Sequence, residues 1–298
     1  MTQKSLILAL ESSSRIGAVA IALGEKLLAE TTFSSPMRHS AEIFPAISGL
    51  LERFGKRPQE IEHIYISVGP GSFTGIRIAV TMAKTMHLAN AAKIVAVDSL
   101  DVITANVINI TPDSYESRVT NHEPRITSHE PRATNHEIRD TRYEKVAAIL
   151  DAKRNQFFIA VYEKRPKEHK YISAQDDDRK HAARDTQYAI LTTSHRSLSP
   201  VPYPLTKILP DSLMTSDEFL EKFADPHQPI WLLGDGLLYH RGKFKTDGVR
   251  FLDEKYWSPR AEKVHSLGWQ MALSGQFADP LTLTPNYLLR PDIKVKRC

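Results

Sequence analysis

Residues 67–78 read Ser-Val-Gly-Pro-Gly-Ser-Phe-Thr-Gly-Ile-Arg-Ile, with Gly69, Gly71 and Gly75 gathered around Pro70. A strand-like apolar run, 61–68, leads into them. An alanine- and methionine-rich run of helical character, 76–89, leads out. A strand, a glycine turn and a helix start together define a restricted backbone path. Glycines permit positive φ and close backbone approach. A helix start offers free N–H groups and the positive end of a dipole. Two readings follow. The turn binds an anion such as phosphate, or it lets a helix pack very closely on a sheet.

The flanking chain alternates strands and helices. The apolar run 6–10 ends in Glu11-Ser12-Ser13-Ser14. Residues 16–23 and 26–33 form a predicted hairpin about Gly24-Glu25. The serine turn after the first strand could hold a phosphate with hydroxyls and amides, or serve as an ordinary strand connection. Ile43, Ile47, Leu50, Leu51 and Phe54 fall on one helical face, and Gly55 and Pro58 end that helix. Pro45 is expected in its first turn, since proline is costly deeper inside. His39 and Glu42 lack the further ligands that a metal site needs, so capping or packing is expected of His39. Residues 93–97 read as a fifth strand. Residues 98–109 read as a helix capped by Asp98 or Ser99. This order argues for an α/β lobe at 1–109.

The helix after the glycine turn has two apolar stripes. Ile76, Ala79, Val80 and Ala83 form one; Ile78, Met82, Met86 and Ala89 form the other. A helix apolar on two sides is buried on two sides. One side can face its own sheet, and the other needs a second helix or another chain.

Residues 118–145 break the pattern. They are four consecutive sevens, of which the first is Arg-Val-Thr-Asn-His-Glu-Pro. No pair of apolar positions repeats, and Pro124 and Pro131 exclude a coiled coil. Residues 110–145 are therefore expected to be a disordered polar insertion. Structure resumes at 146–151 with a hairpin partner at 156–162. A charged insertion at 164–185 follows, then a short strand at 188–192 and a proline-rich connection at 200–210. Ser216 is expected to cap a helix at 216–223. Residues 230–233 read as a strand before a second glycine turn, Gly234-Asp235-Gly236. Residues 261–274 read as a helix, and 281–289 end the folded part of a second lobe at 146–298.

The formal charge of +4 over 298 residues lies mainly in the insertions and the tail 294–297, so it is not read as a nucleic-acid footprint. Cys298 is the single cysteine, which excludes an intrachain disulfide and a cysteine metal cage. No stretch approaches the roughly 18 apolar residues of a membrane span. No signal-peptide pattern is visible, and a cytoplasmic location is expected.

The glycine turn at 67–78 resembles that of the TsaB family of bacterial tRNA threonylcarbamoyladenosine biosynthesis proteins. Residues 6–13, 39–45, 151–154, 234–236 and 285–290 resemble that family in the same order. The resemblance implies an actin-like ATPase fold with two ribonuclease-H-like lobes. It implies a non-catalytic role in making N6-threonylcarbamoyladenosine in tRNA, bound to the transferase subunit TsaD, with the ATPase subunit TsaE joining. The implied docking surface is two helices carrying Ile43, Ile47, Leu50, Ile76, Ala79, Val80, Met82, Ala83 and Met86. A homodimer is expected when the partner is absent, without strong tRNA binding by the chain alone. Ser12, Ser13, Gly69, Gly71, Ser72 and Gly75 are the candidate anion or nucleotide loops. ATP or ADP could sit at a shared interface, with no cofactor required. The catalytic relative carries two metal histidines where Ser99 and Ile103 stand here. No metal or catalytic residue is therefore assigned. Glu11 stands where the family more often has aspartate, which alters any phosphate or magnesium geometry at the serine turn. The rival reading is an ATP-dependent phosphotransferase or metallo-hydrolase of the same fold.

Overall fold

The computed structural model describes residues 4–34, 39–107, 143–164 and 205–289. It contains two five-stranded sheets. The first is built from β1 (Leu6–Glu11), β2 (Ala18–Leu23), β3 (Lys26–Thr32), β4 (Ile61–Ser67) and β5 (Lys93–Val97). Its order is β3-β2-β1-β4-β5. The hairpin strands run antiparallel, while β4 and β5 add parallel to β1. The second sheet uses β6 (Lys145–Lys153), β7 (Gln156–Lys164), β8 (Leu205–Met214), β9 (Ile230–Leu233) and β10 (Val249–Phe251). Its order, β10-β9-β6-β7-β8, repeats the connectivity and strand directions of the first. The chain thus has the duplicated α/β architecture of two ribonuclease-H-like lobes.

The central strands are apolar throughout because both faces are covered. In β1, Leu6, Leu8 and Leu10 enter the core beneath α1 (His39–Arg53) and α2 (Phe73–Asn90). Ile7 and Ala9 enter a separate core with Val264 and Leu267 of α6 (Ala261–Leu273). That last helix lies within 146–298 in sequence, yet it covers the first sheet. Gly268 permits the approach, since a Cβ there would stand 2.6 Å from the Tyr65 ring. Glu30 anchors the start of α6, accepting from Arg260 Nε at 3.1 Å and from the Glu262 amide at 2.9 Å. In the other direction, α3 (Ser99–Thr104) leaves the first lobe and packs on β6. Buried Asp101 fastens it there, accepting from Tyr162 Oη at 2.6 Å and pairing with Lys207 Nζ at 2.7 Å. Between α3 and α6 the chain also forms α4 (Ser216–Phe223) and α5 (Leu237–His240) on the second lobe.

Local departures from the expected elements have physical causes. Pro45 lies well inside α1 rather than in its first turn. Both Pro45 and Ala41, whose carbonyl loses its helical donor, are exposed, so water can replace the missing bond. The cap of α4 is Thr215, one residue earlier than expected, in a reciprocal box with Glu218. The expected proline-rich connection is largely β8, whose Pro210 is tolerated because the strand lies at a sheet edge. Tyr143 and Lys145, counted with the seven-residue repeat, belong to the fold. Lys145 opens β6, and Tyr143 lies against Trp231 with ring centroids 4.8 Å apart. The rest of the repeat and the strand expected at 188–192 lie outside the described residues. Among the described residues, no helix is long and apolar enough to cross a membrane.

Gly49 is exposed within α1, and nothing stands within 4 Å of where its Cβ would be. Gly49→Ala is expected to raise stability by about 0.5–1 kcal/mol through reduced unfolded-chain entropy, measurable by urea unfolding.

Candidate functional site

The glycine turn joins β4 to α2 and lies on the loop that leaves β1. Gly69 has φ +111° and Gly71 has φ +156°. A Cβ on Gly71 would stand 2.2 Å from the Ser13 carbonyl oxygen, and one on Gly75 would stand 1.7 Å from that of Ser12. Hydrogen bonds close the same contact. The Ser72 amide donates to Ser13 O at 2.6 Å, and Ser12 Oγ donates to Gly75 O at 2.8 Å. Ser72 Oγ accepts from the Gly75 amide at 3.3 Å and so caps α2. The Gly69 amide donates to Ser99 Oγ at 3.1 Å, and Ser99 N donates back to Gly69 O at 2.9 Å. The amides of Gly69, Ser72 and Gly75 are therefore engaged within the chain. The second lobe repeats the device. Gly234, with φ +120°, would place a Cβ 2.1 Å from Ile149 O, and the Gly236 amide donates to that oxygen at 3.2 Å.

Behind the turn lies Glu11, fully buried at the end of β1. Its Oε1 accepts from the Ser13 amide and hydroxyl, both at 2.6 Å. Its Oε2 has no hydrogen-bond partner among the described residues. Burial raises the carboxyl to about 7, against the opposing Ser13 bonds. A folded pKa above the unfolded one means that the folded state holds the proton more tightly. The resulting stability is intact below the ordinary value of 4.5 and is lost as pH rises towards 7. Glu11→Gln retains an acceptor for the Ser13 amide and removes the titration. It is expected to be more stable than the parent at pH 8 by about 3 kcal/mol, with little difference near pH 4, as read from urea unfolding at the two pH values.

Two concavities flank α2. The first is a cleft of about 600 Å³ between the lobes. Ser13, Arg15, Gly71 and Ser72 line it from the first lobe. Asp151, Lys153, Arg154, Asp235 and Tyr239 line it from the second. The segment 286–289 runs along it. Asn286 N donates to Val68 O at 2.8 Å, and Tyr287 packs on Phe73 with centroids 5.0 Å apart. The Arg15 amide donates to Asp235 Oδ2 at 3.2 Å, while the Arg15 guanidinium lies 4.8 Å from the Tyr239 ring centroid. Burial raises Asp235 to about 6. Of the anticipated anion-loop residues, Ser13, Gly71 and Ser72 reach this cleft, whereas Ser12 and Gly75 are enclosed by each other. Sequence reasoning did not assemble Arg15, Lys153, Arg154 and Tyr239. One signal was present: Glu11-Ser-Ser-Ser-Arg15 and Asp151-Ala-Lys-Arg-Asn155 follow corresponding strands of the two lobes.

The second concavity is an apolar groove of about 550 Å³ between α1 and α2. Ile43, Phe44 and Ile47 contribute from α1, and Ile78, Met82 and Met86 from α2, with Arg77 and Thr81 on its edge. Phe44 is 66% exposed. The anticipated docking residues thus divide. Ile43, Ile47, Met82 and Met86 reach the groove. Leu50, Ile76, Ala79, Val80 and Ala83 are buried and line neither the groove nor the cleft, so a substitution at Ala79 tests folding rather than docking. Phe44, Arg77 and Thr81 are the exposed positions that the apolar pattern passed over. Ser99 and Ile103 are buried in α3, with Ile103 in the second lobe's core. Among the described residues, no group of three or more His, Cys, Asp or Glu side chains is arranged to hold a metal ion.

Residues 26–115 match the family described as TsaD, tRNA N6-adenosine threonylcarbamoyltransferase. The tRNA threonylcarbamoyladenosine biosynthesis protein TsaB of Bacillus subtilis (strain 168) is 36% identical over 100 residues, covering 34% of this chain and 44% of that protein. The protein of the same name from Buchnera aphidicola (subspecies Acyrthosiphon pisum, strain APS) is 29% identical over 99 residues, covering 33% of this chain and 44% of its own length. These matches span less than half of each relative. In fold, YeaZ from Pseudomonas aeruginosa superposes with a TM-score of 0.59 at 18% identity, covering 95% of this chain and all of that one. The chain is thus similar to the TsaB proteins over about a third of its length, and its two-lobed fold is similar to that of YeaZ.

Proposed function

We propose that this chain is a non-catalytic subunit of a tRNA N6-threonylcarbamoyladenosine synthesis complex, with the transferase subunit TsaD docked in the α1–α2 groove and the ATPase subunit TsaE joining the pair. The observation that carries this reading is the solvent-facing apolar groove on the helix that the glycine turn fixes to the sheet. Large apolar patches of this kind mark interaction sites. Docking then favours one conformation of the transferase by differential affinity, the only way a bound partner can shift such an equilibrium. In the absence of the transferase, a second copy of the chain covers the groove in an isologous pair. The complex works in the cytoplasm, where its tRNA substrate is modified.

The glycine turn serves in this reading as a packing device. The amides of Ser72, Gly75 and Gly69 are engaged by Ser13 O, Ser72 Oγ and Ser99 Oγ, and a phosphate held by those three would have to displace these bonds. The same engagement disfavours a phosphotransferase or hydrolase acting alone. In this reading ATP or ADP binds where the partner supplies donors at the shared interface. Size-exclusion chromatography of the full chain with and without the transferase tests the proposal. Co-elution as a single heteromeric species is the expected result. Separate elution, or magnesium-dependent ATP hydrolysis by the purified chain alone, would overturn it.

A further inference from the structure

The joint between the lobes holds a charge imbalance that the docking reading does not use. Lys207 of β8 faces three carboxylates. Its Nζ lies 2.7 Å from Asp101 Oδ1, 2.7 Å from Asp211 Oδ1 and 3.5 Å from Asp98 Oδ2. Tyr162 Oη donates to Asp101 Oδ1 at 2.6 Å, and the ammonium stands 5.6 Å from the Tyr162 ring centroid. The remaining oxygens of Asp101 and Asp211, both Oδ2, are buried and accept from no donor among the described residues. Fully ionised, the carboxylates outnumber the ammonium at a place where the Lys207 and Asp101 side chains are 13% and 1% exposed. Unbalanced charge is costly in a protein interior, and a group so placed takes up a proton instead.

The position of this cluster gives it a role. Asp98 and Asp101 stand at the start of α3, the helix that leaves the first lobe. Lys207 and Asp211 belong to β8, the edge strand of the second sheet. Between the two aspartates, Ser99 exchanges hydrogen bonds with Gly69. The cluster therefore ties the edge of the second lobe to the glycine turn of the first. The other elements packed on α3 include β6 and α6, whose charged groups are paired elsewhere. On β6, Lys145 pairs with Glu163 and Asp151 with Lys153. On α6, Glu262 pairs with Lys263 and with Arg260, which also pairs with Glu30, and His265 bonds to Gly24 O. We propose that Asp98, Asp101, Asp211 and Lys207 form a proton-dependent clamp between the lobes, closed while one carboxyl holds a proton and loosened when all three are ionised. Asp98 is the member that exchanges the proton with solvent, since its side chain is 40% exposed and its contact with the ammonium is the longest of the three. Partial burial, with the Asp211 charge second, raises the Asp98 carboxyl to about 6, and burial raises Asp211 as well. A raised folded value means that the clamp is tight below the ordinary 3.8 and weakens as pH rises through about 6.

Hydrogen exchange of the full chain at pH 5 and pH 8 tests this, with labelling times scaled to the intrinsic rates and peptides read by mass spectrometry. The Glu11→Gln chain serves as parent, so that Glu11 does not add its own titration. Protection of α3 relative to β1 should be about 10-fold lower at pH 8 than at pH 5. The full shift at Asp98 corresponds to about 100-fold, and solvent at its exposed side screens part of it. Asp98→Asn should abolish the difference and keep α3 as protected at pH 8 as the parent is at pH 5. Side-chain carboxyl NMR gives a second reading: one titration near 6 that Asp98→Asn removes. The transferase takes no part in these measurements, so failure here and failure of the docking reading are separable. Three results would overturn the proposal: equal α3 protection at the two pH values, an undiminished pH difference in Asp98→Asn, or titration of all three carboxyls below about pH 4.5.

Discussion

Phe44→Asp and Thr81→Glu are each expected to weaken docking of the transferase subunit by at least about 30-fold, or about 2 kcal/mol, without loss of the folded monomer. The argument begins with exposure. Phe44 on α1 is 66% exposed and Thr81 on α2 is exposed, so neither substitution opens a core cavity. Exposed positions of this kind tolerate change within about 0.5 kcal/mol of stability. Both nevertheless line the groove beside Ile43, Ile47 and Met82. A docked apolar surface would bury the introduced carboxylate without a partner, and an uncompensated buried charge costs several kcal/mol. Biolayer interferometry against immobilised transferase measures the affinity, and thermal unfolding of the variant alone confirms the fold. Glu221→Lys on α4, which is exposed and away from the groove, is the control and should leave the affinity unchanged. Normal binding by both groove variants would show that the partner docks elsewhere.

Gly75→Ala is expected to destabilise the chain by more than about 4 kcal/mol or to prevent its folding. The added methyl would stand 1.7 Å from the Ser12 carbonyl oxygen, far inside van der Waals contact. Neither side can yield cheaply. The Ser12 backbone directly follows the central strand β1, and Ser12 Oγ and Ser13 O are both bonded to the turn. Relief requires α2 to lift from the sheet, which breaks the packing of Ala79 and Ala83 against the core. Urea unfolding measures the loss. The contrast is Gly49→Ala, the same chemical change where the methyl meets nothing. Wild-type stability in Gly75→Ala would mean that the turn is mobile and its amides are available, as an anion loop requires.

Much of the first lobe was legible in the sequence because its signals are local. The apolar runs of β1 and β4, the hairpin about Gly24, and the Ile43–Ile47–Leu50 stripe each lie within one element. The glycine turn was legible as a shape but not as a choice between anion site and packing device. That choice depends on what faces Gly71 and Gly75, namely Ser13 and Ser12, some sixty residues earlier. Of the two apolar stripes on α2, that of Ile76, Ala79, Val80 and Ala83 is buried, whereas the other, also expected to be covered, borders the open groove and ends at exposed Ala89. The sequence could not rank them: Ala79 and Ala83 face the sheet, whereas Ile78 and Met86 border the groove. The cleft between the lobes was invisible for the same reason of distance. Arg15 and Lys153 come to line one cleft only after both lobes have formed. Pro210 misled because proline argues against a central strand, and nothing in the sequence marks β8 as an edge.

The crossing of α6 back to the first sheet has a consequence for how the chain is made. A ribosome releases the first lobe's five strands and α1 and α2 long before residue 261 appears. Until then Ile7, Ala9, Tyr65 and Val95 have no cover on one face of their sheet. The lobe that synthesis produces first must therefore wait, with an apolar face open to solvent or to a chaperone, for the helix made almost last. Each residue inserted between β5 and β6 therefore lengthens that wait by the time its synthesis takes.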